Sequence, residues 1–403
     1  GGLGLLVLVL VTVGRRFIRL DDAKLRKHRQ AIALELIESV FDLGIGDPVR
    51  RPPPNAPARV RSGQVVSGPI SRGIPSGSSP PPDSPAHRRG LTAARGAQLG
   101  PEPVDADAAS CGSFCLWAGV RLSRAPMEAI MQDITVRQMD FQFPDGMDPV
   151  VIPGEPEQSY GIVGLSLLLP YLEPYLIRTM KEAKKVVTDP ELRADLEKFS
   201  AQEGQHYQQH IRFNNVIREW GFPRLEEFEN ELDADYRRFS ETKSLRWNLA
   251  YAEGFEAFTT AGARFSFETG GNDGMHPAAA DLFAWHLIEE FEHRTVAFDV
   301  YAHVCGSYPY RLLVGTYGQW HMGRWIGRVA RYMTQQDERM ETEYGGVEAS
   351  KARRRAQLAP MRKHLLPKLL RTYLPSYTPH DIEMTRELKL MAKHYSRMAV
   401  RTS

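Results

Sequence analysis

Residues 285–299 read W-H-L-I-E-E-F-E-H-R-T-V-A-F-D, with His286, Glu290 and His293 four and then three residues apart. On a helix turning about 100° per residue, that spacing holds all three in one narrow stripe. Residues 202–214, Q-E-G-Q-H-Y-Q-Q-H-I-R-F-N, repeat the chemistry with Glu203, His206 and His210. Each stretch holds a Glu-x-x-His pair and adds one further histidine to its stripe. Two such helices face to face bring carboxylates and imidazoles together in a bundle core, which is the composition of a metal site.

The flanking sequence reads almost entirely as helix from residue 160 onward. A first helix is predicted over 160–187, with Leu165, Leu169, Glu173, Leu176, Ile177 and Met180 on one side and Pro170 and Pro174 expected to kink or reset it. Asp189 and Pro190 open a second helix that ends near Trp220, before Gly221 and Pro223. A third is predicted over 241–267, where Leu249, Glu253, Glu256 and Thr260 share a stripe and Ala257, Ala261 and Ala263 permit close packing. After a glycine-rich turn at 270–274, Pro277 starts a fourth helix reaching residue 304. Further helices are expected over 311–340, 348–373 and 381–398. The region of Trp320, Trp325 and Tyr332 is interrupted by Arg324, Arg328 and Arg331, as in an amphipathic helix packed on a bundle. Before all of these, residues 134–143 alternate apolar and polar like a short extended segment, and Pro144, Asp145 and Gly146 make a turn.

The N-terminal part has another character. Residues 3–13 are apolar and precede Arg15 and Arg16, too short a run for a membrane span of about 20 residues and in the wrong order for a signal peptide. A helix capped by Asp21 and Asp22 is predicted to reach residue 43. Residues 51–110 then hold twelve of the chain's 28 prolines and no aromatic, a composition that cannot bury enough apolar surface to order itself. The expected organisation is an apolar segment and helix at 1–50, a disordered linker at 51–126, and one folded domain at 127–403. The first methionine is Met127, so residues 1–126 are expected to be dispensable for folding. Cys111, Cys115 and Cys305 are too few for a disulfide framework and fit a reducing, cytoplasmic setting. Cys111 and Cys115 lack the second pair that a structural zinc site needs.

In chain order the four main helices offer Glu173, then Glu203 with His206, then Glu253 or Glu256, then Glu290 with His293. Glu, Glu-x-x-His, Glu, Glu-x-x-His is the ligand order of ferritin-like dimetal carboxylate bundles. Residues three apart rise about one helical turn, so a carboxylate can bridge two ions while the imidazole terminates one. One Glu-x-x-His alone is usually a solvated face, and one glutamate in an apolar stripe is usually a paired core charge. Four such elements in order on four predicted helices are harder to obtain by accident. His210 and His286 are read as further ligands or as hydrogen-bond partners of ligands. Spacing does not choose between Glu253 and Glu256. Glu289 and Glu292 are expected to face outward or form salt bridges, and Asp299 lies on the wrong side of its helix for a ligand.

Residues 136–141 (V-R-Q-M-D-F), 165–173 (L-S-L-L-L-P-Y-L-E), 188–193 (T-D-P-E-L-R), 202–210 and 285–299 resemble the bacterial family called predicted metal-dependent hydrolases, which is placed in the ferritin-like group. The resemblance spans about 133–396. In that family the third-helix glutamate precedes a Phe-Thr pair, which points to Glu256 ahead of Phe258 and Thr259. Ala257 stands where the family usually has histidine, and Arg294 where it often has lysine. The implied fold is all-α, a ferritin-like four-helix bundle with additional C-terminal helices behind a largely disordered N-terminal extension.

The expected cofactor is a pair of divalent ions, iron, manganese or zinc, since the donors are oxygen and imidazole with no thiolate. The expected ligands are Glu173, Glu203, His206, His210, Glu256, His286, Glu290 and His293, with Glu203 and Glu290 as the catalytic carboxylates. The leading activity is hydrolysis of a small molecule with a metal-activated water as nucleophile. An O2-activating di-iron oxidase is the alternative, and a non-catalytic metal-holding bundle a third reading. A formal net charge of +2 favours no nucleic-acid partner, and membrane association is not expected for 127–403. A homodimer is one option for the oligomeric state, which the sequence leaves open.

Overall fold

A computed structural model describes residues 134–400. The readings made for the apolar run, the first N-terminal helix, the linker, Cys111 and Cys115 lie outside the described residues. Pro156 opens helix α1, Pro156–Lys184, at its first turn, where a missing N–H is harmless. The helix starts before residue 160 and runs unbroken past Pro170 and Pro174, so neither proline resets it. Pro170 has no N–H to give the carbonyl four residues back, and that carbonyl, Ser166 O, instead accepts Asn214 Nδ2 at 2.9 Å.

Helix α2 is Pro190–Arg218, with Asp189 capping the amides of Glu191 and Leu192. Helix α3, Leu225–Thr242, falls where no element was expected. Its signal was present, since Leu225, Phe228, Leu232, Tyr236 and Phe239 recur at helical spacing and are all buried. Helix α4, Leu245–Thr269, begins later than residue 241 because Ser244 caps it through Trp247 N, and it ends at the left-handed Gly270.

The predicted fourth helix is two, α5 at Pro277–His293 and α6 at Val296–Val304. No proline or glycine breaks it. Arg294 Nη1 instead donates to Phe291 O at 2.5 Å, taking up a carbonyl that a continuing helix would have used.

The C-terminal helices are also subdivided. The expected 311–340 becomes α7, Tyr308–Gln336, and the single turn α8, Arg339–Thr342. The expected 348–373 becomes α9, Gly346–Pro360, and α10, Leu366–Thr372, joined by a wider turn over Met361–Leu365. Helix α11 is Arg386–Met398. Trp325 and Tyr332 of α7 are buried while Arg328 reaches Glu231 at 2.6 Å, the amphipathic packing expected. No strand occurs among the described residues, so the described chain is all-α. Residues 134–143 alternate buried and exposed in part, as the pattern predicts, but pair with no other strand.

Helices α1, α2, α5 and α4 each pack against the next and close into a ring, with α3 and α7 packed on α1 and α7 also on α4. By length and composition α1 is the one described helix apolar enough to cross a membrane. Its Val163, Leu167, Leu168, Leu172 and Leu176 are buried against neighbouring helices, as in a core helix.

The crossing of α4 and α7 is unusually close. A Cβ on Gly254 would lie 2.2 Å from Gly315 Cα, and Gln319 Nε2 donates to Gly254 O at 2.8 Å across the same contact. Gly254 sits beside Glu253 and two residues before Glu256, so this contact sets the depth of α4 at the level of the site. Gly254→Ala is expected to force the helices apart and destabilise the fold by about 1–3 kcal/mol or more. Gly262→Ala, on the same helix with open space around it, is expected to be neutral or mildly stabilising. Thermal melts of the two variants check this, and equal effects would remove the close contact as the explanation.

Candidate metal centre

The ring of α1, α2, α4 and α5 carries one acidic or imidazole group after another on its inner faces. Glu173 comes from α1, Glu203 and His206 from α2, Glu256 from α4, and His286, Glu290 and His293 from α5. All are buried, none more than 5% exposed. Their donor atoms fall into two groups, Glu173 with His206 and His286, and Glu203 with Glu256, Glu290 and His293, each within 4.8 Å.

Two carboxylates link the groups. Glu203 Oε2 lies 3.7 Å from His206 Nδ1 while its Oε1 lies 3.3 Å from His293 Nε2. Glu290 Oε1 lies 3.0 Å from His286 Nε2 while its Oε2 lies 3.6 Å from His293 Nε2. Glu173 stands on the His286 side at 3.8 Å, and Glu256 on the His293 side at 3.6 Å. The His293 side holds one imidazole where the His286 side holds two.

Each imidazole is fixed in one orientation by partners outside the cluster. His206 Nε2 lies 3.1 Å from Glu289 Oε2, and Glu289 Oε1 already accepts from Trp285 Nε1 and Arg137 Nη1, each at 2.9 Å. Glu289 can only accept, so His206 Nε2 carries the hydrogen and Nδ1 faces Glu203. The Gln202 amide nitrogen donates to Thr135 O at 3.1 Å and Glu292 Oε2 at 2.9 Å. Its oxygen must then accept from His293 Nδ1, at 2.9 Å, leaving Nε2 to face the carboxylates.

The third chain starts from the proline in α1. Asn214 Nδ2 is committed to Ser166 O, so Asn214 Oδ1 accepts from the Ser166 hydroxyl at 2.6 Å. Ser166 Oγ then accepts from His210 Nδ1 at 2.8 Å, and His210 Nε2 accepts from His286 Nδ1 at 2.8 Å. In that tautomer His286 Nε2 carries no hydrogen of its own and faces Glu290 Oε1 at 3.0 Å. His210, with both nitrogens engaged, stands in neither donor group and orients His286.

The donors fit a metal by a direct criterion. Both oxygens of Glu173, Glu203 and Glu256, one oxygen of Glu290, His206 Nδ1 and His293 Nε2 are buried and make no hydrogen bond. Buried polar atoms are nearly always satisfied, and orphans converging on one point mark the place of a ligand.

In the metal-free protein, protons fill that place. Burial, then the charges of Glu203, Glu290 and Glu256, hold the Glu173 carboxyl well above its usual range. Burial and the Glu290 charge push Glu256 up to about 8. Burial draws His206 down, but Glu203 and Glu289 outweigh it and push the ring up to about 9. Burial acts the same way on His293, and Glu290 and Glu256 outweigh it and raise the ring. Burial and neighbouring His206 keep His286 low, as burial and His286 keep His210, so both are neutral.

Glu253, the alternative to Glu256, turns to α7 and binds Arg311 Nη2 at 2.6 Å. Asp299 pairs with His380 at 3.0 Å. Glu289 and Glu292 do not face outward. Both are buried and ion-paired with Arg137 at 2.9 and 2.6 Å, because each meets a cation from the extended segment rather than solvent. The sequence reading does not single out Arg137, Gln202, Ser166 or Asn214. The one local signal among them is Arg137, a charged residue on the inward-facing register of an alternating stretch.

The raised groups have a consequence for stability. The stabilisation from Glu256 and His206 is complete below their unfolded values, 4.5 and 6.5, and is lost as pH rises through about 8 and about 9. The metal-free protein is therefore expected to melt at progressively lower temperature from pH 7 to pH 9, while the metal-loaded protein does not follow. Calorimetry with and without chelator checks this; parallel pH profiles would contradict the assignment of these groups to one shared site.

A family model described as predicted metal-dependent hydrolase matches residues 135–383, more than half of the chain. Comparison with curated proteins and with solved structures finds no match.

Proposed function

The chain belongs to the family of predicted metal-dependent hydrolases, and from that membership and the site's geometry we propose that it hydrolyses a small-molecule substrate at a dinuclear metal centre. The observation that carries this reading is the set of buried, unbonded donor atoms that converge from four helices. The charge count favours two ions, since four ionised carboxylates balance two divalent cations and one ion would leave net buried charge. Glu173, His206 and His286 would hold one ion and Glu256 and His293 the other, with Glu203 and Glu290 shared. His210 supports His286 from behind. This is the order of donors found in ferritin-like carboxylate bundles.

Bound there, divalent ions would acidify a water and polarise the bond to be cleaved. The protein's own groups do the rest. Glu203 and Glu290 fix the separation of the two positions, because each offers one oxygen to either side. With ions bound, either carboxylate could accept a proton from a water, which is the general-base role. The fixed hydrogens on His206 Nε2, His293 Nδ1 and His286 Nδ1 point away from the cluster, so the rings hold position without donating protons into it.

A second reading has its own observation. The donor set is sealed from solvent and rich in carboxylates, a setting suited to ferrous iron reacting with O2 away from bulk water. The fold does not choose between these chemistries.

Elemental analysis of the purified chain is expected to find two divalent ions. His293→Ala is expected to weaken metal binding by more than the roughly 10–100-fold typical of an outer-sphere change, and to abolish turnover with it. The wild type, loaded with manganese or zinc, is expected to cleave a member of an ester, amide and phosphoester panel. Retention of two ions by both His293→Ala and His206→Ala would overturn the site. No cleavage, with O2 consumption by the ferrous protein, would transfer the assignment to the oxidative reading.

A further inference from the structure

The segment 134–143 lies outside the helices; its register turns Arg137, Met139 and Phe141 inward, and Ile134 is buried as well. Arg137 is only 3% exposed, and each branch of its guanidinium is used. Nη1 lies 2.9 Å from each of Thr135 O, Glu289 Oε1 and Glu292 Oε2, so its two hydrogens are shared among three acceptors. Nη2 donates to Glu292 Oε1 at 2.6 Å, and Nε to Ser396 Oγ at 2.9 Å. Glu289 and Glu292 flank Glu290 on α5, yet neither belongs to the donor groups.

Each of the two carboxylates leads to a different imidazole. Glu289 Oε2 lies 3.1 Å from His206 Nε2 and accepts its hydrogen. Glu292 Oε2 accepts from the Gln202 amide, and Gln202 Oε1 accepts from His293 Nδ1. The backbone of Thr135 reinforces the second path, its N–H donating to Glu292 Oε2 at 3.2 Å and its carbonyl accepting from Gln202. A single guanidinium thus stands at the root of two hydrogen-bond paths that end on opposite donor groups.

On the reading that these imidazoles bind metal, we propose that Arg137 is the positioning residue common to both metal positions. It clamps Glu289 and Glu292 as a fixed pair of acceptors and through them sets the ring orientation of His206 and of His293. Without it, two carboxylates one helical turn apart would be buried with no cation, and would swing or draw in water rather than hold their partners. The planar fork matters as well as the charge, because a single ammonium cannot engage Glu289, both oxygens of Glu292 and Thr135 O together. The extended segment therefore completes the centre, although none of its residues is a ligand.

The test uses the full chain, stripped of metal and titrated with Co2+, as wild type, Arg137→Met, Arg137→Lys and Glu289→Met. Absorption reports occupancy, and the paramagnetically shifted, exchangeable imidazole N–H protons report each ring. Arg137→Met is expected to weaken Co2+ binding at both positions by about 10–100-fold and to shift or lose the N–H signals of both His206 and His293. Glu289→Met is expected to affect the His206 signal alone. Wild-type affinity and unchanged N–H signals in Arg137→Met overturn the proposal even if the melting temperature falls, since that pattern describes a structural clamp only. A change confined to one ring overturns it too. If Arg137→Met does not fold, Arg137→Lys decides: partial loss at both positions supports the fork, and wild-type behaviour overturns it. Failure of the wild type itself to bind Co2+ removes the metal reading, and this proposal with it.

Discussion

Four carboxylates face one another inside a ring of helices, and their charge has to be met there. Glu173, Glu203, Glu256 and Glu290 are each at most 2% exposed, and among the described residues His206, His286 and His293 are the imidazoles grouped with them. Water does not screen them, so protons or cations must take its place. The directions of the titrations follow. Glu173 and Glu256 are pushed up, and His206 and His293 hold protons well above their usual range, on the atoms that would otherwise face a metal. On the proposed metal reading, protons and cations would compete for the same buried donors.

The surrounding structure serves to hold that arrangement still. Three hydrogen-bond chains converge on the three rings, one beginning in a backbone feature and two in a shared buried ion pair. Pro170 withholds an amide, Ser166 O is freed, and four polar contacts later His286 presents a lone pair. A proline that looks like a defect in α1 therefore has a purpose in the site. Arg137 anchors the other two chains from outside the bundle. The break after His293 belongs to the same economy of contacts, since Arg294 turns back onto Phe291 O as α5 ends.

Much of the site was legible in the sequence because helical phase is local. Once residues 202–214 and 285–299 are helices, Glu203, His206, Glu290 and His293 must share faces, whatever packs opposite. The all-α character and the borders at Asp189, Pro190 and Pro277 were legible for the same reason. What escaped was decided by partners distant in sequence. His210 and His286 sit on equivalent stripes, and only Ser166 and Asn214, more than forty residues away from His210's ring in one case and four in the other, show that His210 stands behind. Glu253 and Glu256 are one turn apart, and Arg311 of α7 separates them. For Glu289 the sequence left an outward face or a salt bridge open, and Arg137 makes it the salt bridge. Helix α3 is different, since its apolar spacing was there to be read.

The account stands on two cations occupying the space between the four glutamates. Crystals of the metal-loaded protein, with anomalous scattering collected at the metal's absorption edge, test that most directly. The expected map has two peaks about 3.5–4 Å apart, one against His206 Nδ1 and His286 Nε2, the other against His293 Nε2, with Glu203 and Glu290 between them. One peak alone, peaks outside the ring, or a peak ligated by His210 would contradict the account.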